Sequence, residues 1–269
     1  LSGELTAAGG IIQFQAKGEY VLTASITDEL GKTITASAAI TVYPVAEAEL
    51  SLPAITHTDK TVALTTETKE TDGLALIYTL TRNGESVEAA DFIEGDLADG
   101  SIRFKDKGVY ALTASVTDAT GRVFSDTADI TVYPVGSAGF YLPEIFHTDK
   151  TITVEAVFGE IGSRTAKWSL TKDGRELSLA DATEGMLNNS GGNLRFKDKG
   201  TYVLNAEFTD DGGRTYRYEQ GFTVYPVPTV SYSLPEYVHT DSDITIQTEA
   251  TDLDGLAVEW LGDNTYGFQ

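Results

Sequence analysis

One nineteen-residue stretch decides the fold: FKDKGTYVLNAEFTDDGGR, running Phe196–Arg214. It occurs twice more, as FKDKGVYALTASVTDATGR at Phe104–Arg122 and as FQAKGEYVLTASITDELGK at Phe14–Lys32. The shared frame is Phe-x-x-Lys-Gly-x-Tyr-x-Leu-x-Ala-x-x-Thr-Asp-x-x-Gly. Chance does not set that frame three times in fixed register, and a missed period miscalls the whole fold. Working outward, Thr-Val-Tyr-Pro-Val closes each copy at Thr41–Val45, Thr131–Val135 and Thr223–Val227. Pro44, Pro134 and Pro226 therefore lie 90 and 92 residues apart, and His57, His147 and His239 keep the same spacing. Tyr20, Tyr110 and Tyr202 share the register, as do Tyr78, Trp168 and Trp260. The two extra residues sit in Asn188-Asn189-Ser190-Gly191-Gly192, opposite Ala98-Asp99-Gly100. Insertions of that kind belong in a loop.

The complete unit 136–227 reads as strands throughout. Phe140–Phe146 is a first strand interrupted by Pro143, which lacks a ladder donor and so marks an edge. Thr151–Phe158 alternates Ile152, Val154 and Ala156 against polar neighbours, the period of a half-buried strand. Ala166–Thr171 carries Trp168, and Lys172-Asp173-Gly174-Arg175 predicts a hairpin turn. Asn193–Phe196 is short. Thr201–Thr209 places Tyr202, Leu204, Ala206 and Phe208 on one face, and Arg214–Tyr225 returns after Asp210-Asp211-Gly212-Gly213. That gives seven strands with no helical period, which indicates a two-sheet sandwich.

Composition agrees and narrows the classes. At about 100–200 residues per domain, 269 residues suggest two domains; sandwiches of about 100 residues bring the count nearer three. Nineteen Lys and Arg against 41 Asp and Glu give a charge of -22. Nucleic acid needs clustered cations, so it is excluded as a partner, and an anionic membrane surface is disfavoured. Zero Cys excludes disulfides and thiolate chemistry. No apolar run reaches a membrane span, and no signal peptide is visible. The chain begins at Leu1 rather than Met, which reads as an excised or processed piece.

Gly-x-Tyr-x-Leu-x-Ala followed by Thr-Asp-x-x-Gly resembles the penultimate strand and final hairpin of bacterial immunoglobulin-like and PKD-like modules. The resemblance covers the whole chain. It implies an all-β fold of tandem seven-stranded immunoglobulin-like β-sandwiches in a linear array. It makes Tyr20, Tyr110 and Tyr202 tyrosine corners, two residues before the position of the second core cysteine, held here by Leu22, Leu112 and Leu204. Trp168 resembles the core Trp of strand C, with Tyr78 and Trp260 as its counterparts. The His-Thr-Asp and Tyr-Pro-Val signatures resemble tandem repeats of very large surface proteins of Firmicutes.

Candidate sites must be weighed against this frame. His57-Thr58-Asp59, His147-Thr148-Asp149 and His239-Thr240-Asp241 could orient an imidazole or hold a metal. Yet there is one His per unit, on separate modules, with no recurring Ser nearby, and Thr and Asp cap turns through side-chain bonds to the backbone. The reading is structural. Calcium needs six to eight oxygens; the best cluster is Asp252 and Asp254 in Asp252-Leu253-Asp254-Gly255. Its counterparts, Thr71-Asp72-Gly73 and Gly159-Glu160-Ile161-Gly162, do not repeat a ligand set. Calcium thus stands as a weak candidate and no other cofactor is expected. The recurring Asp28, Asp118 and Asp210 stand where a turn needs an Asx residue. The two Trp are core residues rather than a sugar platform. Lys60 and Lys150 could seed an isopeptide staple, but Ser242 replaces them and the last strands hold no Asn. Asn188-Asn189-Ser190 is a lone glycosylation sequon.

Charge is shared unequally: residues 1–45 carry -2, 46–135 carry -9, 136–227 carry -3, and 228–269 carry -8 with no basic residue. Like charge keeps a long chain soluble and extended. A contact of unit 136–227 with the acidic last segment or a neighbouring chain is the functional alternative.

With borders placed after Tyr-Pro-Val, the chain divides as 1–45, 46–135, 136–227 and 228–269: half, whole, whole, half. Residues 1–45 hold the last three strands of a sandwich, and 228–269 the first strands through Trp260. A half sandwich exposes on the order of 1,000 Å² of core, about 25 kcal/mol of apolar burial. Three readings stay open: completion by the half unit of another copy in a head-to-tail fibre, a stretch of a longer continuous chain, and three whole domains in permuted strand order. The expected role is a non-enzymatic stalk, spacer or fibre shaft of a secreted or surface-displayed bacterial protein. Neighbouring copies or adjoining repeats are its expected partners, and this segment does not insert in a membrane. The linkers Tyr43-Pro44, Tyr133-Pro134 and Tyr225-Pro226 restrict hinge angles. The competing class is an adhesin that binds a glycan or protein receptor through end loops, for which Asn188–Asn193 and Arg214-Thr215-Tyr216-Arg217-Tyr218 are the candidates.

Overall fold

The computed structural model describes residues 1–71 and 73–262. The chain divides into two compact units, Leu1–Pro134 and Val135–Gln269.

The first unit opens with two hairpins. Strand β1 (Ser2–Thr6) pairs with β2 (Gly9–Gln13), and β3 (Gly18–Thr27) with β4 (Thr33–Val42). The sequence predicts three strands here and the structure has four. The extra one, β1, contains Gly3 and lacks the apolar alternation that marks a strand from sequence. A full sandwich follows: β5 (Glu47–Ser51), β6 (Ile55–His57), β7 (Thr61–Ala63), β8 (Thr65–Lys69), β9 (Leu76–Arg82), β10 (Glu85–Val87), the single turn α1 (Ala89–Phe92), β11 (Ile93–Asp96), β12 (Ser101–Phe104), β13 (Gly108–Thr117) and β14 (Val123–Tyr133). One sheet runs β10-β9-β13-β14-β6; facing it are β11-β12-β7 and β5-β8. The two latter pieces join where the second strand breaks, and the Leu64 amide there donates to Gly100 O at 2.8 Å.

The second unit repeats the plan with β15 (Ser137–Tyr141), β16 (Ile145–His147), β17 (Ile152–Gly159), β18 (Arg164–Lys172), β19 (Arg175–Leu177), α2 (Leu179–Ala182), β20 (Thr183–Asn188), β21 (Gly191–Phe196), β22 (Gly200–Asp210) and β23 (Thr215–Tyr225). Its sheets are β15-β17-β21-β20 and β16-β23-β22-β18-β19. Two strands, β24 (Thr229–Ser233) and β25 (Gln247–Thr251), then pair with each other.

Two expectations change. The interrupted first strand is two strands in different sheets. β15 pairs antiparallel with β17, and β16 pairs parallel with β23, Ile145 opposite Thr223. Pro143 stands at the crossing, where a residue without an N–H leaves no ladder bond broken. That split and β20, which was not legible, raise the count from seven to nine. β20 (TEGMLN) has a Gly in mid-strand and one partly covered apolar position, so it carries no strand period. The Asp-Gly turn does form. Asp173 and Gly174 have φ of 51° and 77°, and Asn83 and Gly84 have 52° and 88°. Positive φ at both central residues matches the twist of flanking strands.

Each sandwich has its own core. In the first unit it gathers Phe104, Tyr110, Leu112, Ile130 and Val132; in the second Phe140, Phe196, Tyr202, Leu204 and Phe208. Both cores draw on the nineteen-residue motif, whose alternate residues point inward from β13 and β22.

Candidate functional site

The motif builds the same local device three times. Tyr20, Tyr110 and Tyr202 each donate their hydroxyl to the carbonyl four residues earlier, on Ala16, Asp106 and Asp198, at 2.9 Å in every copy. The motif Phe stacks beside the Tyr: ring centroids are 4.7 Å apart for Phe14–Tyr20 and Phe104–Tyr110, and 5.0 Å for Phe196–Tyr202. The Thr-Asp-x-x-Gly end is an Asx turn. Asp28 Oδ1 accepts from the Lys32 amide at 2.8 Å, Asp118 Oδ1 from Arg122 at 3.0 Å, and Asp210 Oδ1 from Arg214 at 2.9 Å. Its Gly has φ of 83°, 84° and 79° at Gly31, Gly121 and Gly213, conformations an L side chain resists.

Burial separates the copies. Tyr110 and Tyr202 are fully buried, while Tyr20 is half-buried. Leu112 and Leu204 are 0% exposed and Leu22 is 44% exposed. Ile26, in the register of Val116 and Phe208, is 76% exposed. Hairpins β1–β2 and β3–β4 thus present an uncovered apolar face. Tyr78 and Trp168 lie half-buried against their cores. The Trp168 indole donates to Asn188 O at 2.9 Å, and its ring meets Phe140 and Phe208 edge-on. Trp260, expected in a core, is 53% exposed. Among the described residues no sheet faces it, and residues 256–262 carry no strand; in the two sandwiches the strand at this position, β9 or β18, is held by β13 or β22 on one side and by the short β10 or β19 on the other. Trp260 still keeps its aromatic neighbour: Tyr232 lies 5.3 Å away at 70°, matching Phe140–Trp168 at 5.3 Å and 60°.

The first two His-Thr-Asp segments are tied to the last strand of their own sandwich. The amides of Thr58 and Thr148 donate to Tyr133 O and Tyr225 O at 3.0 and 2.9 Å. The His rings lie 5.9 and 6.2 Å from the same tyrosines. A tight turn closes behind each, from the amides of Lys60, Lys150 and Ser242 to the His carbonyls at 3.0, 3.0 and 3.1 Å. Tyr133 and Tyr225 are therefore the ends of final strands as well as linker residues, with Pro134 and Pro226 following. In the hairpin copy, Tyr43 and Pro44 line a cleft of about 400 Å³ together with Lys17, Val42, Glu70 and Leu74.

Asp252 and Asp254, the calcium candidates, both accept from the Lys199 ammonium, at 3.0 and 2.7 Å. Hydrogen bonds to Asp254 and then Asp252 raise the Lys199 pKa. Asp72, in the unit-one counterpart, and residues 263–269 lie outside the described residues. The binding-loop candidates make bonds within their own unit. Asn189 accepts from the Ala166 amide at 2.9 Å, Tyr216 donates to Asp210 at 3.1 Å, and Arg217 pairs with Glu207 at 2.9 Å. The Lys199–Asp252 pair has a counterpart in the first unit that the sequence analysis does not predict: Lys17 Nζ meets Glu70 Oε2 at 2.6 Å. The signal was available: the motif repeats a Lys before its Gly, and an acid stands thirteen residues after each His.

Two sandwiches of the same strand order in one chain define a class, tandem immunoglobulin-like units. No protein-family model and no curated protein matches the chain. Among solved structures it is similar to the I67–I69 I-band fragment from titin, at 14% identity and a TM-score of 0.47, covering 84% of this chain and 82% of that one. It is also similar to extracellular domains 3–5 of Drosophila OTK (16%, 0.42, covering 84% and 78%) and to immunoglobulin domains 1–4 of Sidekick-1 (14%, 0.43, covering 84% and 63%). Likeness at this level concerns the fold alone. Among the described residues no helix is long and apolar enough to cross a membrane.

Proposed function

We propose that the chain is a non-enzymatic structural repeat segment, a stalk or fibre shaft of a secreted or surface-displayed bacterial protein, whose open strand sets complete one another head to tail. The four units of the reading are 1–45, 46–135, 136–227 and 228–269. Bacterial surface display is supported by the resemblance of the His-Thr-Asp and Tyr-Pro-Val signatures.

The observation that carries the proposal is the match between two uncovered faces. β1–β4 correspond to β11–β14, the last four strands of a sandwich, and β24, β25 and Trp260 correspond to β15, β17 and the β18 position of Trp168. Registers transfer directly. Ile152 pairs with Leu194, Trp168 with Ala206, and His147 with Tyr225. One repeat on, these become Ile244 with Ile12, Trp260 with Ala24, and His239 with Tyr43. Strand complementation of this kind is a heterologous contact that propagates when it does not close. Both terminal segments carry net negative charge, -2 and -8, so salt screening favours the association.

The test is light scattering and Trp fluorescence of the 269-residue chain against concentration. The expected result is a rising mass, accompanied by a blue shift as Trp260 enters a core, and stronger at higher salt. A strictly monomeric species with an unchanged spectrum at every concentration would sink the proposal.

A further inference from the structure

Glu70, Glu160 and Asp252 each stand thirteen residues after the repeat His, and each has a left-handed backbone, with φ of 51°, 56° and 54°. An L residue there costs about 1–2 kcal/mol that Gly would avoid. Gly is abundant in this chain, with 26 residues, and it stands three positions later as Gly73 and Gly255. An acid retained three times at a strained position points to a task for its side chain.

The task is visible twice. In the first unit, Lys17 Nζ, in the turn before β3, meets Glu70 Oε2 at 2.6 Å, in the loop after β8. In the second, Lys199 Nζ, in the turn before β22, meets Asp252 and Asp254 in the loop after β25. In both cases the lysine is the Lys-Gly lysine of one repeat and the acid belongs to the repeat that follows. The backbone between them passes through Tyr-Pro-Val, where proline removes one torsion. A hinge with one torsion locked and a charge pair across it has few orientations left.

We infer that the motif lysine and the left-handed acid of the following repeat form a recurring electrostatic latch that sets the angle of the joint between repeats. This inference rests on reading the chain as a repeat shaft and adds what stiffens it. The pairs are half-exposed, so their contribution to stability is small. Their effect is on orientation, and it follows ionic strength: at about 1 M salt the screening length falls to about 3 Å.

The chain has no Cys, so spin labels can be placed cleanly at Ser25→Cys and Ser125→Cys, both exposed, and read by double electron–electron resonance. At low salt the distance distribution is expected to be narrow. It should widen about twofold in Glu70→Gln and at about 1 M salt, where screening is nearly complete. The swap Lys17→Glu with Glu70→Lys should restore the narrow form. Glu70→Gly relieves the backbone strain yet should still widen the distribution, which separates the latch from a purely local role. Equal widths in the parent chain, Glu70→Gln and Glu70→Gly would overturn the inference. So would random-coil amide shifts for residues 1–45 in the parent chain. Either result leaves the concentration-dependent association as a separate question.

Discussion

Hairpins β3–β4 and β13–β14 are nearly the same sequence in two situations. Tyr20-Val21-Leu22-Thr23-Ala24-Ser25 and Tyr110-Ala111-Leu112-Thr113-Ala114-Ser115 differ at one residue. Both form ten-residue strands in the same register, Leu22 opposite Ala38 and Leu112 opposite Ala128. Both carry the tyrosine hydroxyl bond and the Asx turn. They differ in what lies across the inner face: β13 is covered by a second sheet and β3 is not. Local hydrogen bonding is therefore set within about 30 residues, whereas burial requires partners from elsewhere. The pair is an internal control for what a facing sheet contributes.

The largest expected effect concerns the core leucine. Leu112→Ala should destabilise the first sandwich by about 3 kcal/mol, as a large-to-small change at a fully buried site. Leu22→Ala should cost under about 1 kcal/mol in dilute solution, since little burial is lost. Urea unfolding of both variants measures the gap. If residues 1–45 become covered at high concentration, the Leu22 penalty should rise towards that of Leu112; equal penalties in dilute solution would erase the distinction.

Next comes the tyrosine corner. Tyr202→Phe and Tyr110→Phe remove one hydroxyl bond each and should cost about 1 kcal/mol. Tyr20→Phe loses the same bond, but from an uncovered hairpin, and should show mainly as faster amide exchange over 16–20. Hydrogen exchange read residue by residue distinguishes the two responses.

A smaller effect is expected at the β13–β14 turn. The Asp118 carboxylate is held below the ordinary value of 3.8, first by the Thr120 hydroxyl and then by the Arg122 and Thr120 amides. A lowered folded pKa means that its contribution is complete above the unfolded value and is lost as pH falls through the folded one. The turn should loosen only below about pH 4, the range where a free carboxylate protonates. Asp118→Asn should abolish that acid step in amide exchange at 118–122, and an unchanged step would contradict the assignment.

The smallest effect is spectroscopic. Trp168 and Trp260 are the two tryptophans of the chain. Trp260→Phe should remove a red-shifted emission component with almost no change in unfolding midpoint, because an exposed ring contributes little burial. A clear loss of stability would show that Trp260 is already packed.

Much of this was legible in the residues. The period, the sandwich class, the corner tyrosines and the Asp-Gly turns follow from patterns confined to one hairpin or one strand. The same cannot be said of β11, β20, α1 and α2, whose short runs, such as Ile93-Glu94-Gly95-Asp96, have no period and are held by neighbours already in place. The split of the first strand at Pro143 was half visible: the interruption could be seen, but the change of sheet depends on where β23 runs. Lys17–Glu70 is 53 residues apart in sequence, and no local pattern joins the two.

Sequence alone was enough for the repeat, the strands, their inward-facing residues and the turns, because period-2 patterning and Asx, Gly and Tyr hydrogen bonds act over a few residues. Only tertiary structure decided which of those inward faces became a core. Leu112 and Leu22 hold the same position on equivalent strands, and one is buried while the other meets water. Apolar burial is a property of two surfaces, and a strand specifies only its own.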